Sequence, residues 1–365
     1  MNKLEPGYIF ETVFWMEKDS SSGLTLSAKN INGKLSDRRI LTDDKRVLPG
    51  QRCKVKVIDL NENTIRVSYL GLADFNLKKD VYIEPGLLLQ FEILLCSGRS
   101  ILLEGPQGAG KTTVARALAD SLGMHYVFFN CSVCFEPSDF VGSVQLVVNE
   151  TGQVRTEWIP TEVLNSIYLA YEDTGKRFLI FLDELNRCRS QAVNGIMSAI
   201  DSSRRIFDPR KNSYIAIPEN IQWIAAVNSG RQFTGTYKLD PAQLDRFSVL
   251  KIDYPPEAKE IEILCRRYDM VRRKDIRKVV RIANLIRNMP AISTDLSMRA
   301  TDEACMFLSY PTYQHGVTKE GLIDILKVSF CNRLPGSIRE EGSDAQLAFT
   351  LLERNILILL GEEAE

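Results

Sequence analysis

The stretch SILLEGPQGAGKTT at residues 100–113 constrains the fold more than any other part of the sequence. An apolar run leads into a glycine-rich loop, and helix-forming residues follow directly. Glycine allows backbone conformations that other residues avoid, so successive N–H groups can converge on one anion, and the N-terminus of the next helix adds its unpaired N–H groups. This order of strand, loop and helix is typical of a phosphate-binding P-loop. The predicted phosphate-binding residues are Gly105, Pro106, Gln107, Gly108, Ala109, Gly110, Lys111, Thr112 and Thr113.

The last residues of this motif predict what it binds. In a P-loop the lysine reaches the β- and γ-phosphates, and the hydroxyl residue that follows ligates Mg²⁺. These roles fall to Lys111 and Thr112. The sequence therefore predicts binding of a nucleoside triphosphate together with Mg²⁺.

Two acidic residues downstream of the P-loop are expected to complete the magnesium site. The apolar run at residues 178–182 ends in Asp183 and Glu184, which is the Walker B arrangement. Ligands of open α/β sheets gather at the carboxyl ends of the strands, where these side chains would lie. We expect Asp183 to hold the Mg²⁺ shell and Glu184 to orient and polarise the attacking water.

Three further residues are candidates for contact with the phosphates. Asn228 ends another apolar run, where an amide can hydrogen-bond the γ-phosphate or the lytic water; a turn or capping role is the alternative. Arg246, in LDPAQLDRF, is a candidate arginine finger, because a guanidinium offers a bidentate positive fork to the transferred phosphoryl group. An ion-pair role is the alternative for Arg246. Arg299, in LSMRA, is a second candidate for contact with the γ-phosphate.

Composition bounds the class of protein. A length of 365 residues allows two or three domains, and a net charge of −1 gives no global basic field for nucleic acid. No apolar run reaches the roughly 18 residues of a membrane span, and Met1–Leu4 does not begin a signal peptide, so we expect a cytoplasmic protein without membrane contact. The CxxC pair of Cys131 and Cys134 lacks a second pair, which favours reduced, partly buried thiols over a zinc or redox site.

Residues 1–75 are predicted to form a small β-barrel domain. The segment at 49–71 resembles the last two strands of an OB-fold module of the ribosomal-protein RNA-binding type. Aromatic residues near the start could stack on single-stranded nucleic acid or, as the favoured alternative, fill the barrel core; they are Tyr8, Phe10, Phe14 and Trp15. The candidate strands are Tyr8–Met16, Gly23–Ala28, Ile31–Leu35, Arg52–Leu60 and Thr64–Leu70.

Residues 76–255 are predicted to form an α/β domain with a parallel five-stranded sheet and helices on both faces, because near-continuous apolar runs are typical of strands buried on both sides. Two β-hairpins, Val144–Trp158 and Ser203–Pro218, interrupt the alternation, and residues 256–365 are predicted to be an all-α domain. The other predicted elements are a strand and helix in Val81–Cys96, the P-loop strand, strands His125–Asn130, Arg177–Glu184, Ile221–Asn228 and Phe247–Tyr254, and helices Pro160–Tyr171, opened by its proline, and Gln191–Asp201.

One segment of the helical region is strongly basic. Arg266–Arg281 has eight basic and two acidic residues at helical spacing, with apolar residues interleaved. Such a segment could touch nucleic acid. The favoured alternative is the solvated or subunit-facing side of one helix.

In combination, these motifs resemble the AAA+ ATPases and, within them, the MoxR-like group that includes the CobS, McrB and dynein-related modules. The matching pieces are GPQGAGKT, FLDELNR, AAVNSG, KLDPAQLDRF and LSMRA, within residues 80–310. The segment at 138–142 resembles the one before the helix-2 insert of that group, and the hairpins at 144–158 and 203–218 would be the insert and the hairpin before the first sensor.

The resemblance implies a role for each site residue. Asn228 falls at the first sensor, Arg246 at the arginine finger and Arg299 at the second sensor, and Arg187 is a candidate for contact between subunits or for a surface salt bridge. The substrate would be ATP with Mg²⁺. Because an arginine finger acts across a subunit boundary, the resemblance implies a ring, usually a hexamer, with a C-terminal helical lid.

The resemblance favours an ATP-hydrolysing motor that remodels or activates a protein client or a separately encoded partner, often one with a von Willebrand-type domain. One alternative is a nucleic-acid translocase or a McrB-like restriction subunit, which could use GTP. Another is a nucleotide-gated scaffold with little turnover, although the presence of Glu184 and Arg246 argues against it.

Overall fold

The computed structural model describes an N-terminal β region, a central α/β region and a C-terminal helical region. The described residues are 5–6, 9–13, 15–19, 23–31, 34–42, 52–72, 81–148, 152–229, 237–313 and 316–361. The N-terminal strands are β1 (Ile9–Val13), β2 (Trp15–Asp19), β3 (Gly23–Ile31), β4 (Lys34–Leu41), β5 (Arg52–Leu60) and β6 (Thr64–Leu72).

These six strands form one sheet in the order β1-β5-β6-β4-β3-β2. β4 and β6 pair in parallel, and the other neighbours are antiparallel. Val55 and Val57 are buried between exposed neighbours on β5, and Ile65 and Val67 are buried on either side of the exposed Arg66 on β6, which is the period-two pattern of a sheet with one buried face. β1 and β2 follow each other in the chain, yet they occupy opposite ends of the strand order.

Some details of the N-terminal prediction were wrong. The predicted strand Ile31–Leu35 spans the connection between β3, which ends at Ile31, and β4, which begins at Lys34. Of the four aromatic residues considered for stacking, Tyr8 and Phe14 lie outside the described residues, and Phe10 and Trp15 belong to β1 and β2.

The central region contains the predicted parallel sheet, which is confirmed. Its five strands lie in the order β15-β7-β14-β11-β8, and every pair is parallel. In chain order the elements are α1 (Pro85–Cys96), β7 (Ile101–Gly105), α2 (Lys111–Ser121), β8 (His125–Asn130), β9 (Gly142–Val148), β10 (Val154–Pro160), α3 (Glu162–Glu172), β11 (Phe178–Asp183), α4 (Ser190–Ile200), β12 (Arg205–Asp208), β13 (Ser213–Ala216), β14 (Ile221–Asn228), α5 (Pro241–Leu244) and β15 (Ser248–Lys251).

The sheet is covered by helices on both faces. Successive side chains of a strand point to opposite faces, so Leu103 and Phe181 pack in one core with α1 and α2. Leu102 and Ile180 pack in a second core with α3 and α4. Burial on both faces explains why these strands are almost continuously apolar in sequence.

Two of the differences from the prediction concern how helices begin. The strand predicted at the start of Val81–Cys96 is absent, because residues 81–84 have no regular structure and the helix begins at Pro85. Pro160 does not open α3; it ends β10 opposite Gly142. Thr161 caps α3 instead, since its hydroxyl accepts a hydrogen bond from the Leu164 N–H at 3.3 Å.

Two hairpins extend from the central region, β9 with β10 and β12 with β13. The predicted turn of the first hairpin includes positions 150 and 151, which lie outside the described residues. The hairpins touch each other, since the Arg210 guanidinium near the tip of the second lies 4.9 Å from the centre of the Trp158 ring of the first.

The helical region has its own apolar core, to which Ile276, Val280 and Ile286 contribute. Its helices are α6 (Glu257–Arg267), α7 (Arg273–Arg287), α8 (Met298–Leu308), α9 (Lys319–Ser329) and α10 (Asp344–Gly361). Within the described residues, we find no helix with the length and apolar character needed to cross a bilayer.

The basic segment at residues 266–281 is not one helix, which corrects the prediction. It comprises the end of α6, a turn at 268–272 and the first part of α7. Several of its cations form ion pairs within the helical region: Arg267 with Asp302 at 2.7 Å, and Arg281 with Glu257 at 3.5 Å. This pairing favours the structural interpretation over nucleic-acid contact.

Candidate nucleotide-binding site

The phosphate loop joins β7 to α2, as the motif predicts. β7 ends at Gly105 and α2 begins at Lys111. Gly108 and Gly110 have φ values of 72° and 88°, in the left-handed region that favours glycine. With Gly110 as its N-cap, α2 directs its first N–H groups into the loop, where an anion can accept them.

Lys111 lies buried beneath the loop. Its Nζ donates to the carbonyl oxygens of Gly105 and Pro106, at 2.8 and 2.9 Å. Burial lowers the pKa of Lys111 to about 8, although the carboxylates of Asp183 and Glu184 act in the opposite direction. A bound phosphate would bring a negative charge into direct contact with this ammonium group, whose hydrogen-bond partners here are neutral carbonyls.

A hydroxyl and a carboxylate lie side by side at the edge of the sheet. Asp183 ends β11, and Thr112 Oγ1 donates to its Oδ2 at 3.2 Å. Oxygen donors of this type are the ligands that Mg²⁺ prefers in phosphate sites. The residues present therefore fit a Mg²⁺ ion bound together with a triphosphate.

Glu184 has an unusual backbone conformation. Its φ of 55° lies in the left-handed region, which is uncommon outside glycine and is often found at functional sites. Its N–H donates to Asp183 Oδ1 at 3.0 Å. Its carboxylate Oε1 lies 3.5 Å from both Asn228 Nδ2 and Arg187 Nε. The turn thus directs a carboxylate towards Asn228 at the end of β14.

Asn186 was not assigned a role by the sequence analysis, although it belongs to the FLDELNR motif. It is buried, and its Nδ2 donates to the Asn228 carbonyl at 3.0 Å while its Oδ1 accepts from the Asn228 N–H at 3.4 Å. Its own carbonyl accepts from the Tyr237 N–H at 2.6 Å. Asn186 therefore holds the ends of β11 and β14 at a fixed separation.

One cleft of about 240 Å³ brings most of the predicted site residues together. Gly105 and Pro106 do not line it, although their carbonyls contact Lys111. Val81 and Tyr82 also lie in its wall. The predicted residues that line the cleft are Gln107, Gly108, Ala109, Gly110, Lys111, Thr112, Thr113, Asp183, Glu184, Asn228 and Arg299.

The two candidate arginines occupy different places. Arg299, in the first turn of α8, lines the cleft of its own chain. Arg246 does not line this cleft; it lines a separate cavity that also contains Asp201 and Arg204. Its Nε donates to Asp201 Oδ2 at 3.3 Å, and about a third of its side chain is exposed (35%).

Two other contacts to the phosphate loop had no signal in the sequence. The Tyr254 hydroxyl donates to the Gln107 carbonyl at 2.9 Å. Ser297, the N-cap of α8, leaves no room for a side chain at Gly108. Both contacts join residues far apart in the chain, which is why spacing could not predict them.

Comparison with known proteins agrees with this geometry. A family model described as an AAA domain of the dynein-related subfamily matches residues 100–247. The matched stretch includes the P-loop, Asp183, Glu184, Asn228 and Arg246.

Curated relatives are similar over part of their length. The uncharacterized protein SH1500 of Staphylococcus haemolyticus is 28% identical over 158 residues, which are 43% of this chain and 56% of that protein. The uncharacterized protein SSP1341 of Staphylococcus saprophyticus is 26% identical over 161 residues, 44% of this chain and 58% of that protein. The match thus spans little more than half the length of these relatives.

Among solved structures, a mutant of Thermotoga maritima RuvB has a TM-score of 0.43 and 17% sequence identity, covering 69% of this chain and 72% of that chain. The family match and the cleft fall in the same central α/β region, which is therefore similar to an AAA domain and has the geometry of a nucleotide-binding site.

Proposed function

We propose that this chain is an ATP-hydrolysing AAA+ motor of the MoxR-like type, which acts as a ring, a hexamer, and remodels or activates a protein partner. The observation that carries the proposal is the single cleft that holds Lys111, the Thr112–Asp183 pair and the Glu184–Asn228 pair. The residues for binding phosphate, for holding Mg²⁺ and for orienting the attacking water are all present in this cleft.

The proposed roles follow from the contacts. Lys111 would exchange the carbonyls of Gly105 and Pro106 for the β- and γ-phosphates, and Thr112 and Asp183 would hold Mg²⁺. When bound, Mg²⁺ neutralises charge on the phosphate oxygens. Glu184 orients the attacking water and accepts its proton, with Asn228 fixing the direction of that carboxylate.

The position of Arg246 supports a ring. Its guanidinium is partly exposed and lies outside the cleft of its own chain, so it can act as an arginine finger only on a neighbouring subunit. Mixing Arg246→Ala with Lys111→Ala tests this arrangement. Mixed rings should recover hydrolysis, because an intact site can then meet an intact finger, whereas each variant alone should be inactive.

Arg299 is proposed to act within its own subunit. It lines the same cleft as Lys111, and its positive charge contributes to the lowered pKa of that lysine. In the mixing experiment, Arg299→Gln and Lys111→Ala should therefore fail to complement each other, since both lesions belong to one site.

We propose three domains: residues 1–75 as an OB-like barrel, 76–255 as the AAA+ core and 256–365 as a helical lid. The strand order of the N-terminal sheet supports the first. β1 and β2 are consecutive in the chain and pair with β5 and β3 at opposite ends of the strand order, which is the arrangement expected when a sheet closes into a barrel.

The first hairpin supports a protein partner. Val144, Leu146 and Val148 alternate along β9, and Val154 lies opposite Val148, so the four side chains share one face. They are 62–74% exposed. A contiguous exposed apolar face of this kind is typical of a protein–protein interaction site.

The N-terminal topology favours one alternative, a nucleic-acid-directed translocase. OB-type barrels bind single strands through aromatic faces and basic grooves. Binding of labelled single-stranded DNA or RNA that weakens steeply with salt would support this alternative. Absence of binding at low salt would leave the protein-directed motor.

The decisive experiment measures phosphate release by the wild type and by Glu184→Gln, with ATP and with GTP, alongside particle size. Loss of turnover in Glu184→Gln with persisting ATP-dependent rings is the expected result. Glu353→Gln, at an exposed position of α10, is the control and should match the wild type. Equal phosphate release from Glu184→Gln and from the wild type would show that Glu184 does not orient the attacking water. Rings that form without phosphate release from either protein would indicate a nucleotide-gated scaffold.

A further inference from the structure

A buried ion pair joins three helices of the helical region. Arg287 of α7 donates to both carboxylate oxygens of Glu260 of α6, at 2.7 and 3.1 Å, and both side chains are almost inaccessible to solvent. The Thr301 hydroxyl of α8 lies 2.7 Å from the same carboxylate, and Arg287 Nε donates to the Leu296 carbonyl at 2.8 Å. A bidentate pair of this kind fixes geometry strongly, so the start of α8 is held to α6 and α7.

One tyrosine connects this cluster to the phosphate loop. Tyr254 lies between β15 and α6, and its hydroxyl donates to the Gln107 carbonyl. The Arg287 Cζ lies 4.6 Å from the centre of its ring, within the range of a cation–π contact. Burial raises the pKa of Tyr254 above its ordinary value, so the hydroxyl remains a donor at neutral pH.

The start of α8 also lies directly against the loop. A Cβ at Gly108 would come within 2.6 Å of the Ser297 Cβ, so the two backbones are already in close contact. Arg299 follows two residues later and lines the cleft. A shift of this turn relative to the phosphate loop would therefore carry Arg299 with it.

We propose that Tyr254 is a positioning residue for ATP hydrolysis. Its hydroxyl bond to Gln107 and its contact with Arg287 hold the first turn of α8, and with it Arg299, in register with the phosphate loop. The inference rests on the proposed function of the cleft. Conversely, when bound phosphates move the Gln107 peptide, Tyr254 transmits that movement to the helical region.

Tyr254→Phe tests the proposal, because it removes the hydroxyl and keeps the ring that Arg287 contacts. Tyr171→Phe is the matched control, since the Tyr171 hydroxyl donates to the Ala216 carbonyl at 2.6 Å, away from the cleft. We expect Tyr254→Phe to lower kcat about three- to tenfold, the effect of one net hydrogen bond. KM for ATP should change little, and Tyr171→Phe should behave as the wild type.

Two further readouts separate positioning from general destabilisation. In an Arg299→Gln background, Tyr254→Phe should cause no additional loss of kcat, because it acts through Arg299. Hydrogen exchange at residues 297–301 should slow when the slowly hydrolysed analogue ATPγS binds to the wild type and to Tyr171→Phe. The slowing should be much smaller in Tyr254→Phe.

The opposite results overturn the inference. Additive losses of kcat in the double variant, or equal protection of 297–301 in all three proteins, would show that the Tyr254 hydroxyl does not position Arg299. Either result in a wild type that hydrolyses ATP leaves the proposed function intact. A wild type that neither binds ATPγS nor releases phosphate would refute both.

Discussion

The contact between Gly108 and Ser297 makes a quantitative prediction about the interface between the phosphate loop and α8. Alanine at Gly108 or at Gly110 must adopt a left-handed conformation, which costs about 1–2 kcal/mol at either position. At Gly110 the added Cβ meets no atom within 4 Å. At Gly108 it would lie 2.6 Å from the Ser297 Cβ, about 0.8 Å short of ordinary contact, so overpacking adds about 1–3 kcal/mol.

Ser297→Gly should rescue this difference. It removes the atom that clashes, and glycine is tolerated at an N-cap whose side chain makes no capping hydrogen bond, as here. In urea unfolding of the nucleotide-free protein, Gly108→Ala should be less stable than Gly110→Ala, and Ser297→Gly should recover stability only in the Gly108→Ala background. Equal stability of the two alanine variants, or equal recovery in both, would refute the close contact between the loop and α8.

Three other predictions follow from the site and the first hairpin. Burial lowers the pKa of Lys111 from 10.5 to about 8, so between these pH values the unfolded chain holds a proton that the folded chain has released. The stability of the nucleotide-free protein should therefore rise with pH across this window, while its affinity for ATP falls. Lys111→Met should lose both trends, measured by unfolding at each pH and by titration with ATP. Asn186→Ala should lower kcat by about ten- to a hundredfold while ATP affinity is retained. The substitution removes the two hydrogen bonds to the Asn228 backbone, so the Asn228 side chain is no longer held beside Glu184 and buried polar groups are left unpaired. Single-turnover hydrolysis measures the loss of rate, and equilibrium binding measures the affinity. Leu146→Ser should leave basal phosphate release unchanged and weaken capture of the partner, measured once a partner is isolated, because this 74% exposed side chain lies on the apolar face of the hairpin.

The parts of the site that follow one another in the chain were predictable. The P-loop needs glycines, lysine and threonine in a fixed order, and an apolar run ending in Asp183 and Glu184 marks a buried strand that ends at the same edge of the sheet. Alternating burial on both faces of the sheet explains why its strands were recognisable as continuous apolar runs.

The parts that were missed depend on contacts between distant residues. Asn186 matters because β14 lies beside β11, and Tyr254 matters because the segment after β15 contacts the phosphate loop. The start of α3 was predicted wrongly for a local reason. Pro160 belongs to β10 and pairs with Gly142, so Thr161 caps the helix instead. Composition alone gave no sign that the turn at 268–272 divides the basic segment.

The charges of the cleft bear on assembly. The charged residues that line the cleft are the cations Lys111, Arg267 and Arg299 and the carboxylates Asp183, Glu184, Asp253 and Asp302, so three cations face four carboxylates without nucleotide. Bound Mg²⁺·ATP adds net negative charge, and the residues that line the cleft do not neutralise it. Arg246 lies outside the cleft of its own chain. A neighbour's Arg246 would supply the missing positive charge in a partly desolvated site, where such an interaction is strong. ATP should therefore favour assembly more than ADP does. Because this difference between the two nucleotides comes from charge, it should become smaller as the salt concentration is raised.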